Sequence, residues 1–323
     1  MSIAPSDITI AVTVYNRRDY ILKAVESALS QTVPVRVMVV EDCGPDASLR
    51  DLVLAKFGDR ITYYRSPVRH GLFGNWNTCL EQCPTPWLSI LHDDDYLATD
   101  FIENAIRLAS AFPDRGFYCG RGRYTDQTGQ EHGFGCPPLS KEMEELDMNQ
   151  FADLNLTLFP GTLFRPKDAK SLGGFRTTSL FCGDWEMWFN LAYHYGGART
   201  NACMAFARSH FHAERGTTKI ELRGLKFCVD FVQAKRNYHL LHLRDSKARF
   251  DRARHLSLNI FPANALLRHG AGFSPRMLKY NCGVFLQAPP ETFSRSLLKG
   301  CIRLLGWRGV KLCSQVYRAV KRR

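Results

Sequence analysis

Four short apolar runs alternate with helix-period segments over the first 112 residues, and this alternation constrains the fold more than any other feature. Ile8 to Val14, Val35 to Val40, Ile61 to Tyr64 and Trp87 to Leu91 are rich in β-branched and aromatic residues and read as strands, the first of them buried. Between them the period changes. From Tyr20 the apolar residues Ile21, Ala24, Val25, Ala28 and Leu29 fall on one helical face, with Asp19 placed to cap the start. Asp51 to Phe57 reads as a short helix, Gly71 to Gly74 as a loop leading into a helix through Leu80, and Asp100 to Phe112 as a further helix. Strands and helices in strict alternation predict an α/β fold: a Rossmann-like, mostly parallel sheet with flanking helices. Such sheets bind ligands outside the carboxyl ends of their strands.

Acidic residues stand at two of those ends. Asp42 follows the second strand, and Asp93, Asp94 and Asp95 follow the fourth. Three adjacent carboxylates at a partly buried strand end repel one another, and a divalent cation relieves that repulsion. Hard oxygen ligands suit Mg2+ or Mn2+, which keep positions open for substrate phosphates. A solvated turn capping the helix that begins near Asp100 is the competing reading of the same triplet.

Beyond residue 115 the patterns are weaker. Tyr124 to Met148 is polar and rich in Gly and Pro, which predicts a hairpin and loop, with a lid over an acceptor as one use. Gly161 to Phe164 and Ala202 to Ala207 are strand candidates, and Asp184 to Tyr195 is an amphipathic helix. Asp184, at the start of that helix, reads either as a helix cap or as an ionised base favoured by the helix dipole. Arg208, His210 and His212 follow the last strand candidate. Either histidine can complete a metal sphere and Arg208 can touch a diphosphate. His92 can instead orient the acidic run from behind.

The chain carries a net charge of +12, which calls for an acidic partner. Nine basic residues and no acidic one lie from Ser294 to the end, so the excess belongs mainly to the tail. Leu297, Leu298, Ile302, Leu305 and Trp307 interleave with those cations. The tail fits a basic amphipathic helix lying on an anionic membrane, or a terminal helix packed on the core. No nucleic-acid-binding motif accompanies the charge. The eleven cysteines lack a framework or zinc spacing and read as reduced thiols. With no leader-like start, a cytoplasmic location is expected, peripheral on the membrane face if the tail binds lipid.

Several segments together resemble the signatures of the family 2 glycosyltransferases. Val12-Thr13-Val14-Tyr15-Asn16, continuing through Tyr20-Ile21 and Ser27 to Thr32, is similar to the family's opening. Val39-Val40-Glu41-Asp42 is similar to its next signature, and Leu91-His92-Asp93-Asp94-Asp95 to its metal motif. Gly173-Gly174-Phe175 and Gly183-Asp184-Trp185-Glu186 resemble two later ones. The order is the family's, over roughly residues 8 to 212. Departures are Glu41 and Cys43 around Asp42, His92 in place of an aspartate, and Trp76 where arginine often stands.

The resemblance implies a GT-A fold over 1–218, with a donor half to about 115 and an acceptor half beyond it. A helical basic region, 219–323, would follow. It implies an inverting hexosyltransferase that uses a nucleoside-diphosphate sugar, often a uridine one, and a saccharide or lipid-linked saccharide acceptor in surface polysaccharide synthesis. By position, Thr13 and Tyr15 would line the base pocket, and Asp42 would hold base or ribose. Asp93 would lie near the ribose or sugar, and Arg208 near the diphosphate. Asp94, with Asp95 and His210, would hold Mn2+ or Mg2+, and Asp184 would be the base, with Glu186 as fallback. A sugar-phosphate nucleotidyltransferase is a rival class, but Tyr15-Asn16-Arg17-Arg18 replaces the glycine-rich phosphate loop it requires. A non-catalytic nucleotide-sugar binder is the third reading.

Overall fold

The computed structural model describes residues 3–153, 155–179 and 182–208. Chain contacts divide the protein into two units, Met1–Phe211 and His212–Arg323. The predicted helical basic region, His210 and His212 lie outside the described residues.

The first strand, β1 (Ile8–Val14), is buried at all seven positions, so both of its faces are covered. Helix α1 (Arg18–Leu29) follows and buries Ile21, Ala24, Val25 and Ala28, the stripe that its spacing dictates. Asp19 is not its cap. Arg17 holds the N-cap position without a side-chain bond to the helix, and Asp19 sits inside the first turn. Next come β2 (Arg36–Glu41), α2 (Leu49–Phe57), β3 (Thr62–Arg65), α3 (Gly71–Gln82), β4 (Trp87–His92), the two-residue β5 (Tyr96–Leu97) and α4 (Phe101–Ala111).

The remainder is β6 (Phe117–Thr125), β7 (Glu131–Phe134), β8 (Met143–Glu145), α5 (Met148–Asp153), β9 (Thr162–Phe164), α6 (Pro166–Ser171), α7 (Gly183–Tyr195) and β10 (Gly197–Arg208). One sheet runs in the order β3-β2-β1-β4-β9-β6-β10-β5. Its first four strands are parallel. Short β9 lies antiparallel between β4 and β6, and β10 runs parallel to β6. The pairing is in step: Thr13 of β1 faces Val40 of β2 and His92 of β4, and Glu41 faces Arg65 of β3. Four strand ends therefore come level, and the residues after them share one rim.

Two apolar groups hold the sheet. Ile8, Ile10, Val12 and Val14 join the buried residues of α1, α2 and α4 in one cluster. Outside it, Trp76 of α3 meets Phe73, Phe159 and Phe175, and Phe159 and Phe175 both meet Trp188 of α7.

Two predicted boundaries move, and one strand is new. Gly71 to Gly74 is the first turn of α3, not a loop, because Asp42 accepts the orphan backbone N–H groups of His70 and Gly71 at 2.6 and 2.8 Å. The cap comes from 28 residues upstream of His70, beyond any local signal. Strand β6 has no β-like pattern, since Gly120 and Gly122 interrupt it. A Cβ at Gly120 would stand 2.2 Å from Met204 Cγ, so the neighbouring strand demands the glycine. Strand β10 starts at Gly197 rather than Ala202. Its first half reads as polar, yet Arg199 is buried there and donates to the carbonyl of Pro137. The expected hairpin within 124–148 is present as β6 and β7, turned by Asp126, whose Oδ1 accepts from the backbone N–H of Thr128 and Gln130.

Candidate active site

The acidic turn closes β4. Asp93, Asp94 and Asp95 are only 7%, 9% and 7% exposed, so the charges predicted at a strand end are largely withdrawn from water. Burial, then the neighbouring Asp94, pushes Asp93 up to about 7 against the pull of Arg17. The same two causes raise Asp95. This is not the solvated turn of the competing reading, and Asp100 makes no side-chain cap on α4.

Nitrogen groups face the turn from three sides. The Arg17 guanidinium donates to Asp93 Oδ1 at 3.1 Å and also to Asp94 Oδ2. His92 Nδ1 lies 3.5 Å from Asp95 Oδ2. Burial opposes a charge on His92, but the bond to Asp95 and the neighbouring carboxylates outweigh it and raise its pKa. Arg208, at the end of β10, donates its backbone N–H to Asp95 Oδ1 at 2.9 Å and its Nε–H to the carbonyl of Asp94 at 3.0 Å. Its remaining bonds go to the carbonyls of Asp126 and Gln127 at 3.3 and 2.7 Å. Arg208 thus braces the turn, where sequence suggested a cation open to a diphosphate.

Ligand atoms of His92, Asp94 and Asp95 all lie within 4.8 Å of one another. Opposite ligands of an octahedral Mg2+ stand about 4.2 Å apart, twice a bond of ~2.1 Å. The donor set therefore fits a hard divalent cation after a small inward adjustment. His92 Nε2 is buried without a hydrogen-bond partner. The ring is stacked on Phe159 at 4.1 Å and on Trp76 at 5.4 Å. His92 and Trp76, two positions that depart from the family pattern, thus lie face to face.

Along the rim, Asp42 is buried and spends one carboxylate oxygen on each of the two N–H groups at the head of α3. Glu41 is fully buried and accepts from Tyr63 Oη at 2.8 Å, from the Gly44 N–H at 3.0 Å and from Arg65. Arg65 also donates to the Gly44 carbonyl at 2.7 Å, so the loop after β2 is pinned from both sides. Gly44 has no room for a side chain: a Cβ would stand 1.9 Å from the Tyr15 carbonyl. Thr13 is buried and donates to the Leu91 carbonyl at 3.3 Å. Tyr15 is half-buried, with the Arg69 guanidinium 4.2 Å over its ring.

Asp184 is the second residue of α7 and is half-buried. Its helix start packs on α3: a Cβ at Gly183 would lie 2.3 Å from Phe73, whose ring meets Trp76, the residue stacked on His92. Glu186 is buried and held by Arg176 Nε and Nη2 at 2.9 and 2.8 Å. Gly173 and Gly174 have φ of +92° and +73°, which glycine tolerates. They deliver Phe175 to Asn77, whose side-chain amide accepts the Phe175 N–H at 2.7 Å and donates to its carbonyl at 2.9 Å. Sequence reasoning missed Arg17. The only signal for it was its place just after the first strand, on the rim where site residues collect.

The profile of Glycosyl transferase family 2 matches residues 9–169. The chain belongs to glycosyl transferase family 2. An uncharacterized glycosyltransferase of Rickettsia typhi is 26% identical over 186 residues, 56% of this chain and 57% of that protein. The succinoglycan biosynthesis protein ExoO of Rhizobium meliloti is 35% identical over 106 residues, 32% of this chain and 30% of ExoO. This family 2 chain therefore matches 57% of the length of that Rickettsia relative and a smaller share of ExoO. Among solved structures, S. aureus TarS 1-349 in complex with UDP-GlcNAc has a TM-score of 0.64 at 15% identity, over 97% of this chain and 92% of that one. The mannosyltransferase PcManGT of Pyrobaculum calidifontis, in complex with GDP-Man and Mn2+, has a TM-score of 0.53 at 19% identity, over 95% and 90%. These likenesses show the GT-A fold. Among the described residues no helix is long and apolar enough to cross a membrane.

Proposed function

We propose that the chain is a metal-dependent, inverting glycosyltransferase. It moves a sugar from a nucleoside-diphosphate sugar, a uridine one favoured, to a hydroxyl of a saccharide or lipid-linked saccharide. The observation that carries this reading is the buried acidic turn, with ligand atoms of His92, Asp94 and Asp95 within 4.8 Å at the end of a parallel strand. The donor class draws support from the UDP-GlcNAc complex of TarS and the GDP-Man complex of PcManGT. The role of ExoO in succinoglycan biosynthesis supports a saccharide acceptor and a part in surface polysaccharide synthesis.

In this reading Asp94 and Asp95 would hold Mn2+ or Mg2+ together with His92, and the resemblance adds His210, which lies outside the described residues. The bound cation would neutralise the charge that develops on the departing diphosphate. Thr13, Tyr15 and Asp42 bind base and ribose, and Asp93 orients the ribose or sugar. Arg208 keeps the turn in register by its bonds to Asp94 and Asp95. Asp184 takes the proton of the acceptor hydroxyl as that oxygen bonds to the anomeric carbon and the carbon–oxygen bond to the diphosphate breaks. Its place in the first turn of α7 favours the ionised form that a base requires. Glu186 suits the task less, because Arg176 already holds its charge. The basic tail from Ser294 supports attachment to an anionic membrane surface on the cytoplasmic side.

The test is calorimetry across a panel of nucleotide sugars, with and without Mn2+, on the wild type and Asp94→Asn. One donor should bind in a Mn2+-dependent way, and the variant should lose it. Tight binding indifferent to both Mn2+ and Asp94 would remove the metal from the mechanism. Asp184→Asn should keep donor affinity while transfer falls by about 10²–10⁴-fold. Transfer at the wild-type rate in that variant would disprove the base assignment.

A further inference from the structure

We propose that Arg17 is an internal counter-ion that competes with the divalent cation for Asp94 and passes to the donor's diphosphate once the cation is bound. The inference rests on the metal-dependent reading above and assigns a role to a residue outside the family signatures quoted for this chain.

Three observations carry it. First, the Arg17 guanidinium bonds to Asp93 Oδ1 at 3.1 Å and to Oδ2 of Asp94, so it holds one of the carboxylates that the cation requires. Second, its side chain is 34% exposed and reaches the turn from the loop that follows β1, at the N-cap position of α1. It can swing without breaking a helix or strand bond. Arg208 is the contrast: it is 6% exposed, and its guanidinium is tied to three backbone carbonyls. Third, Arg18 next to it is already committed to Asp46 and Ser48, both at 2.6 Å. Arg17 is therefore the arginine of this loop that the site can use.

The physics sets the sequence of events. A guanidinium and a divalent cation on one carboxylate repel each other, so loading the cation weakens the hold on Arg17. The donor then adds a diphosphate beside the cation, since Mg2+ or Mn2+ at such sites takes substrate phosphate oxygens as ligands. A planar guanidinium fork matches phosphate oxygens and gains charge-assisted bonds there. One residue thus neutralises the carboxylates before loading and the phosphates after it.

Competition predicts effects of opposite sign from one substitution, which a purely structural role does not. Calorimetry with MnCl2 alone, and then with UDP and GDP at saturating Mn2+, separates the two. The Arg17→Met variant should bind Mn2+ alone roughly tenfold tighter, and should bind the preferred nucleoside diphosphate roughly tenfold weaker, the scale of one charge-assisted bond. Arg17→Lys should fall between the two proteins on both measures. Thermal unfolding of each variant checks that the fold is intact. Equal or weaker Mn2+ binding by a folded Arg17→Met protein would overturn the proposal, as would a parallel fall of both affinities. Asp94→Asn separates this failure from that of the parent reading. If Asp94→Asn abolishes Mn2+ binding while Arg17→Met changes nothing, only the counter-ion role falls. If Asp94→Asn binds Mn2+ like the wild type, the metal site and the counter-ion role fall together.

Discussion

Two strand ends of the same sheet bury carboxylates and treat them in opposite ways. At the end of β2, Glu41 and Asp42 are held by Tyr63, Arg65 and three backbone N–H groups. At the end of β4, three carboxylates share Arg17, His92 and the backbone N–H of Arg208, and burial raises the pKa of Asp93 and Asp95. The first end is a finished joint that shapes the loop at residues 42–46 and the head of α3. The second crowds carboxylate against carboxylate at low exposure, and such crowding is what a cation relieves. Burial of acid alone therefore does not mark a metal site. The mark is burial of acid crowded against acid.

Substitutions at the two ends should separate stability from binding. Glu41→Ala should cost the most, about 3 kcal/mol of folding stability, because it strips three hydrogen bonds and leaves Arg65 without its carboxylate. The urea midpoint measures this, and an unchanged midpoint would mean that Glu41 does not hold the joint at β2. Asp94→Asn should lose Mn2+-dependent donor affinity on the order of a hundredfold, near 2.7 kcal/mol. Its metal-free melting temperature should hold or rise, since the substitution removes the middle of three repelling charges. A fall of several degrees would show that Asp94 is a structural carboxylate after all. Asp42→Asn should have the smallest effect, about 1–2 kcal/mol, because an amide accepts through one oxygen where the carboxylate served two N–H groups. Hydrogen exchange at the head of α3 should report it, with protection lost first at Gly71.

The contrast also explains which parts of the protein were legible in its sequence. Residues 8–112 announce themselves, since each strand is a β-branched run and each helix carries a period-3.6 stripe. The acidic turn was legible for the same reason, as a charge run after such a strand. What stayed hidden depends on distant partners. The head of α3 reads as a glycine loop because its cap is Asp42. Strand β6 hides because Met204 and Leu158 leave no space for side chains at Gly120 and Gly122. The meaning of Gly174 appears only with Asn77, 98 residues from the Phe175 that it positions. Among site residues, Asp94 and Asp95 were named by pattern. The bonds of Arg17 to the turn, and of Arg208 as its brace, required the fold: Arg17 has no motif of its own, and the place of Arg208 suggested a diphosphate contact.

The span between Asp95 and Arg208 carries a consequence for synthesis. These two residues bond across 113 positions of sequence, and β10 is the strand that delivers the second of them. A ribosome adding about 5–20 residues per second needs on the order of ten seconds to cover that distance. Throughout that interval the emerging chain holds its three carboxylates at a strand end whose brace has yet to be made. The segment 9–169, which carries the family's signature, is on that account too short to hold its own acidic turn. The site comes into being only when β10 is complete.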